Sequence, residues 1–176
     1  MSNFTLVRGP GPGLFFDNDF CTGYNRTNGT VAIGDVLMFD RLGTEGTSTT
    51  PGSSSHPFAN LIKPTTAGVG GLSGVANARG GFFGVVVDLL DGAGADNALV
   101  KVQVRGMCDA LLNTASNLAV GDELVAVNAQ VYLAEGYTAG HKIIAWSMIA
   151  DADTDAGQKC RVLFNGIEGL GAMAAS

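Results

Sequence analysis

The stretch ALVKVQVRG, residues 98–106, alternates apolar and polar side chains along its length. Three valines fall on one side of an extended chain and three polar residues on the other: Val100, Val102 and Val104, then Lys101, Gln103 and Arg105. Because successive side chains of a strand point to opposite faces, this period of two predicts a half-buried β-strand.

Similar patterns flank this stretch on both sides. FFGVVVDLL (82–90) precedes it, and the turn sequence DGAGADNA (91–98) predicts that the two segments form a hairpin. KIIAWSMIA (142–150) and KCRVLF (159–164) are predicted to form a second hairpin, closed by DADTDAGQ (151–158). No window of comparable length has the spacing of an amphipathic helix. The predicted fold class is therefore mainly β, a small antiparallel β-barrel or β-sandwich with little helix.

A Gly-Asp pair occurs twice in similar surroundings, in IGDVL (33–37) and in VGDEL (120–124). An aspartate on a glycine turn is a candidate acid, base or metal ligand. Gly-Asp is also a common turn, in which glycine takes a positive φ, the aspartate side chain caps the turn and a strand follows. The structural interpretation is favoured.

The chain is predicted to be one β domain with extensions. Residues 1–30 contain GPGPG (9–13) and several aromatic residues without a sustained period, which is typical of an extended N-terminal arm. Residues 31–166 form the single β domain, interrupted by an irregular loop insertion at 43–81 that is rich in Gly, Ser and Thr. Residues 167–176 form a C-terminal tail.

The composition limits the partners. Only 15% of the 176 residues are charged, whereas about 25% is usual, so much of the surface is expected to lie against another molecule. The net charge of −6 without a basic stripe predicts no nucleic-acid partner. No apolar run approaches the roughly 20 residues of a membrane helix, so no membrane partner is predicted.

The termini and cysteines predict a reducing compartment. The N-terminus has neither the basic start nor the long apolar core of a secretory signal, which predicts synthesis and retention in the cytoplasm. Cys21, Cys108 and Cys160 are odd in number and far apart, so free thiols are expected rather than a disulfide framework.

The acidic segment DADTDAG (151–157) has the alternating aspartates of a calcium loop, at Asp151, Asp153 and Asp155. Such a loop needs glycine at its sixth position and a bidentate glutamate at its twelfth, where this chain has Ala156 and Val162. A solvated hairpin turn is favoured, and no metal is predicted.

Other candidate chemistry is sparse. Ser73 lies in GVGGLSG (68–74), which matches neither a nucleotide-binding loop nor a hydrolase elbow. His56 lies in a Ser-rich loop and His141 at a strand start, so both are expected at the surface. Trp146 shares one side of an alternating strand with Ile144 and Met148, which favours core or interface packing over sugar stacking. No catalytic residue, cofactor or enzymatic activity is predicted.

Several segments follow one order along the chain: a Gly-Asp turn into a strand, a Gly-Val strand, an alternating strand, a second Gly-Asp turn and a closing hairpin. They are GDVLMFD (34–40), FFGVVVDLL (82–90), ALVKVQVRGMCDALL (98–112), VGDELVAVNAQVYL (120–133) and KIIAWSMIADADTDAGQKCRVLFNG (142–166). In this order the chain resembles the head decoration, or cement, proteins of tailed bacteriophages. It departs from them in its long arm and in the 43–81 insertion.

The resemblance implies a structural role without enzymatic activity. Such proteins sit as homotrimers on the outer surface of the capsid, where they bridge neighbouring major capsid proteins. The expected location is the virion exterior, after assembly in the host cytoplasm. The two Gly-Asp turns are then equivalent corners of a small barrel. Two alternatives stay open: another virion structural protein, such as a head-completion or tail-associated protein, and a ligand- or carbohydrate-binding β module.

The arm is the predicted capsid-binding site, through Phe4, Leu6, Val7, Phe15 and Phe16. Leaving such side chains in water is unfavourable by about 1.5 to 3 kcal/mol for each one that could be buried. The segment NFTLV (3–7) is suited to add a strand to a sheet edge of another chain. The alternative is that the arm folds back onto its own domain.

Overall fold

The computed structural model describes residues 19–40, 60–65, 81–113, 118–135, 142–150, 157–167 and 171–172. Within these ranges the chain forms strands and turns, and no helix. The predicted class, mainly β with a small β-barrel or β-sandwich and little helix, is therefore confirmed, and most strand pairs are antiparallel, with β1–β3 and β5–β7 as parallel pairs. The described part contains ten strands: β1 (Asp19–Asn25), β2 (Val36–Phe39), β3 (Asn60–Ile62), β4 (Phe83–Leu89), β5 (Leu99–Leu112), β6 (Glu123–Ala126), β7 (Leu133–Glu135), β8 (Lys142–Ser147), β9 (Gln158–Asn165) and β10 (Gly171–Ala172).

The strands close into two five-stranded barrels that share β5. In the first barrel, the pairing runs from β1 through β3, β2, β4 and β5 back to β1. In the second barrel, it runs from β5 through β7, β6, β8 and β9 back to β5. The 14 residues of β5 make this sharing feasible. Its N-terminal half pairs with β1 and β4, and its C-terminal half pairs with β9.

The alternation predicted for ALVKVQVRG is present, with one exception. Val100, Val102 and Val104 are buried inside the first barrel, as the period of two predicts. Gln103 was expected on the solvent face but is buried. Its side-chain amide donates to the carbonyl oxygens of Arg105 and Met107, both at 3.0 Å, so the amide is satisfied within its own strand.

The two barrels repeat one pattern of pairing. In each, the first and third strands pair in parallel, and the other neighbouring strands pair antiparallel. The repeat extends to the register, since Cys21 lies opposite Val102 and Cys108 lies opposite Val162. The sequences also correspond, since KVQVRG (101–106) in β5 aligns with RVLFNG (161–166), which comprises the end of β9 and the glycine after it. The chain is therefore an internal repeat in which β5 ends the first copy and begins the second.

The two Gly-Asp turns occupy equivalent places in this repeat. Gly34 and Gly121 have φ of +100° and +93°, a conformation that favours glycine. The Asp35 carboxylate accepts from the Ala32 N–H at 2.8 Å, and the Asp122 carboxylate accepts from the Ala119 N–H at 2.6 Å. The structural interpretation of both aspartates is therefore confirmed, with one turn leading into β2 and the other into β6.

Two hydrophobic cores lie on opposite sides of β2 and β4. Leu37, Phe39 and Val86 belong to the interior of the first barrel. Val36, Met38, Phe83 and Val85 lie on its outer face, yet they are buried in one core with the interior of the second barrel. Because both faces of β2 are covered, VLMF is an unbroken apolar run rather than an alternating one.

Three parts of the chain differ from the predicted organisation. Residues 19–25 were assigned to the extended arm but form β1, which pairs with β5 through six residue pairs. The insertion at 43–81 contains β3, and the tail at 167–176 contains β10. β3 and β10 have three and two residues, which is too short for a period of two to be recognised.

Both predicted hairpins are present as antiparallel pairs, β4 with β5 and β8 with β9. The face predicted for Trp146 is wrong in part. Ile144 is buried in the core, whereas Trp146 and Met148 are exposed. The register of β6 against β8 shifts at this point, with Leu124 opposite Ala145 and Val125 opposite Ile143. The resulting bulge separates Ile144 from the face that holds Trp146.

Candidate functional site

The predicted capsid-binding residues Phe4, Leu6, Val7, Phe15 and Phe16 lie outside the described residues. So do Ser73, both histidines and the three aspartates of the acidic turn, Asp151, Asp153 and Asp155. The described chain begins at Asp19, the first residue of β1, and the Asp19 carboxylate lies 3.4 Å from the Arg105 guanidinium. This end of β1 is where the arm joins the first barrel.

An apolar groove of about 590 Å³ opens at the mouth of the first barrel, next to this junction. Its walls come from β1, from the end of β2, from the residue before β4, from β5 and from the residues after β9. The lining side chains are Phe20, Cys21, Phe39, Phe82, Val104 and Ile167, with Thr22 and Lys101. Phe20 is 46% exposed, and Cys21 is also exposed.

Two of the side chains that line the groove are small, Cys21 and Val104, and Val104 belongs to the interior core of the first barrel. Val104 and Cys21 correspond, in the internal repeat, to Phe164 and Cys108 of the second barrel. Phe164 and Cys108 are buried in a core that also contains outer-face residues of the first barrel. The mouth of the second barrel is therefore filled from within the chain, whereas the described residues leave the mouth of the first barrel open.

Cationic side chains lie over the aromatic rings of the groove. The Lys101 ammonium is 4.5 Å from the centroid of the Phe20 ring, and the Lys142 ammonium is 5.9 Å from that of Phe82. Lys142 also donates to the carbonyl oxygen of Ile167 at 3.1 Å. The groove therefore combines an apolar floor with a basic rim, which suits an apolar segment flanked by acidic groups.

A second exposed apolar surface lies on the outside of the second barrel. Cross-strand pairing places Met107 opposite Leu163, Leu163 opposite Trp146, and Trp146 opposite Glu123. Met107 and Trp146 are 42% and 36% exposed, and Met148 beside them is also exposed. We call the surface formed by Met107, Leu163, Trp146, Met148 and Glu123 the Trp146 face. An exposed cluster of large apolar side chains indicates an interaction surface more often than does an isolated one.

The described residues contain no group of three His, Cys, Asp or Glu side chains that is suited to hold a metal ion. No described segment forms a helix of the length and apolarity needed to span a bilayer. The titratable groups with shifted pKa values have structural surroundings. Burial raises the pKa of Asp35, outweighing the lowering by the Ala32 N–H and by Lys159 and Lys63. Burial, aided by Asp109, raises the pKa of Cys108 to about 12.

Substitutions at Asp35 and Asp122 separate two contributions to the free energy of unfolding, the cost of burying a charged carboxylate and the gain from the turn hydrogen bond. Because the pKa of Asp35 is raised, protonated Asp35 contributes stability that is fully present below pH 3.8. This stability is lost as the pH rises through the pKa of Asp35 in the folded protein. We expect Asp35→Asn to be at least as stable as the wild type at pH 7, because the amide oxygen still accepts from Ala32. Asp35→Ala should lose about 1 kcal/mol. Urea unfolding at pH 4 and pH 7 measures both variants.

The matched control for this comparison is Asp122, which makes the same turn hydrogen bond with a less buried side chain. Asp122→Ala should lose a similar free energy of unfolding. A marked destabilisation by Asp35→Asn would show that the ionised carboxylate is itself required.

The three thiols are free, Cys21 exposed and the other two buried. In dilute native protein at pH 8, iodoacetamide should modify Cys21 alone, because Cys108 and Cys160 are buried. Burial also keeps the Cys108 thiol protonated, since it raises the pKa of Cys108 to about 12. The stability associated with the neutral Cys108 thiol is complete below pH 9.0 and falls as the pH rises toward 12. Mass spectrometry of the alkylated protein gives the result. Equal labelling of all three thiols without denaturant would contradict the described burial.

No family model matches the chain. No curated protein matches it either. Among solved structures, the chain is similar to the N base of the head fiber gp8.5 of bacteriophage phi29, with 10% sequence identity and a TM-score of 0.45, over 85% of this chain and 95% of that one.

Proposed function

We propose that the chain is a structural decoration, or cement, protein without enzymatic activity. It binds the exterior of a phage head as a homotrimer and bridges neighbouring major capsid proteins through its N-terminal arm. The sequence order that resembles phage cement proteins supports the class of function. The observation that carries the role of the arm is the closure of both barrels without residues 1–18.

Closure of the two barrels bears on whether the arm is needed for folding or for binding another chain. The described strands complete both pairing rings, and each barrel has its own buried core. Phe4, Leu6 and Phe15 are therefore not required to complete a ring, and their burial is expected against another chain. A strand added to a coat-protein sheet edge would supply main-chain hydrogen bonds and pockets for alternate side chains.

The anchoring of the arm supports the same role. β1 is held to β5 through six residue pairs, from Asp19 opposite Arg105 to Tyr24 opposite Leu99. A pull on the arm is therefore transferred to the strand that both barrels share. This is the connection expected in a protein that stabilises an assembly by linking its subunits.

The copy number of the chain on purified heads tests the proposed class. A cement protein is expected at hundreds of copies per head, whereas a head-completion or tail-associated protein is present at few, and a ligand-binding module at none. Quantitative mass spectrometry against the major capsid protein gives this ratio. A low or zero ratio would reject the cement function.

A further inference from the structure

We propose that two copies of this chain join head to tail, with the Trp146 face of one copy seated in the apolar groove of the other. The inference rests on the self-association within the proposed function, and it gives that association a specific interface. It follows from the internal repeat, because the chain already contains one contact of this kind.

The Trp146 face has a counterpart in the first barrel. The row from Met107 through Leu163 and Trp146 to Glu123 crosses β5, β9, β8 and β6. The equivalent row crosses β1, β5, β4 and β2 and consists of Phe20, Gln103, Val85 and Val36. Of this row, Gln103, Val85 and Val36 are buried.

The first barrel's face is buried against the mouth of the second barrel. Val36 and Val85 are fully buried, and they share one core with Cys108 and Phe164. Backbone hydrogen bonds fix the contact, since the Phe83 N–H donates to the Gly166 carbonyl at 3.0 Å and the Val36 N–H to the Val131 carbonyl at 2.7 Å. Within one chain, therefore, the outer face of the first barrel packs on the mouth of the second barrel.

The described residues then leave one face and one mouth exposed. The face is that of the second barrel, around Trp146, and the mouth is the groove of the first barrel, around Cys21 and Val104. Each is the counterpart of a surface that is buried in the chain's own contact. The Trp146 face of one copy matches the groove of the next copy. Repeating this contact from copy to copy therefore covers both the exposed face and the exposed groove.

The charges of the two surfaces are complementary. Lys101 and Lys142 lie on the rim of the groove, over Phe20 and Phe82. Glu123 lies opposite Trp146 on the face. Opposite charges around an apolar centre fix the orientation of a docked partner. Because the two surfaces differ, the interface is heterologous, and such interfaces form closed rings when the rotation closes.

Two charge substitutions test the interface in free solution. Trp146→Glu removes the centre of the face, and Phe20→Glu places an acid in the groove that meets Glu123. Each variant alone should weaken self-association about tenfold or more in sedimentation velocity, the change for about 1.4 kcal/mol. Leu90→Glu is the matched control, since Leu90 is 46% exposed, like Phe20, but lies in the turn between β4 and β5. It should assemble as the wild type does.

Mixing the two variants gives the decisive result. Each retains one intact surface, so an equimolar mixture of Phe20→Glu and Trp146→Glu should form heterodimers and no larger species. A mixture that stays monomeric overturns the inference, and so does a Phe20→Glu variant that assembles normally, because the Trp146 face would then pair with itself. Melting curves of both variants verify that they fold.

Cys21 reports which molecule occupies the groove. Raising the protein concentration should slow alkylation of Cys21 in the wild type and leave it unchanged in Trp146→Glu. If the groove is instead filled by the chain's own arm, Cys21 of Trp146→Glu reacts slowly and deletion of residues 2–16 accelerates it, which overturns the inference. A monomeric wild type that still occupies capsids also overturns it and leaves the capsid role intact. An oligomer that does not bind capsids rejects the capsid role alone.

Discussion

Deletion of residues 2–16 is expected to give a folded β protein that melts at nearly the temperature of the full chain and no longer binds capsids. The physical reason is that both barrels close among the described residues after position 18, and the buried residues of both cores also lie there. Phe4, Leu6, Val7, Phe15 and Phe16 are removed together. Melting is followed by circular dichroism, and capsid occupancy by cosedimentation with heads.

A full-length control separates loss of length from loss of apolar contacts. In this variant Phe4, Leu6 and Phe15 become serine and the arm keeps its length. It should melt like the wild type and lose most of its capsid binding. An unfolded deletion variant, or one that occupies capsids as fully as the wild type, would reject the arm as the capsid-binding element.

Phe83→Ala should lower the free energy of unfolding by about 3 to 5 kcal/mol, a larger loss than we expect from Asp35→Ala or Asp122→Ala. Phe83 is fully buried and belongs to β4 of the first barrel, yet it packs in the core of the second. Its removal leaves a cavity where the two barrels meet. Because β5 belongs to both barrels, we expect one cooperative unfolding transition at a lower denaturant concentration, measured by fluorescence and circular dichroism together.

Phe82→Ala is the matched control for this substitution. Phe82 is the adjacent residue, only partly buried, and it lines the groove. Loss of this ring should lower the free energy of unfolding by about 1 kcal/mol, because a ring that is already partly exposed in the folded protein has less surface to expose on unfolding. Two separated transitions in Phe83→Ala would show that the barrels unfold independently. Equal losses in the two variants would contradict the described burial.

The sequence predicted those elements whose two faces differ. β5 has one buried and one more polar face, so its alternation is visible, and the Gly-Asp turns need a residue tolerant of positive φ. β2 was predicted from the Gly-Asp turn before it and not from a period, because VLMF is buried on both faces. The burial of Gln103 and the bulge beside Ile144 depend on pairing with other strands, which a local pattern does not contain.

The groove and the internal repeat could not be predicted for a related reason. The groove collects Cys21, Phe39, Phe82 and Val104 from distant parts of the chain, and none of these residues lies in a distinctive motif. The repeat has few identities beyond the two Gly-Asp turns, so it becomes evident only when Cys21 and Cys108 are compared by register. The arm residues remain a prediction, since they lie outside the described part of the chain.

The shared strand has a mechanical consequence. Two domains joined by a linker separate under tension as soon as the linker is straightened, and little resists this motion. Here β5 is a single strand of 14 residues, on the order of 45 Å if fully extended, and Gly106, which has a positive φ, lies where it passes from one barrel into the other. A load that pulls the barrels apart must therefore break hydrogen-bond ladders on both sides of β5 at the same time. The barrel that carries the groove and the barrel that carries the Trp146 face are therefore joined through one shared strand instead of a linker.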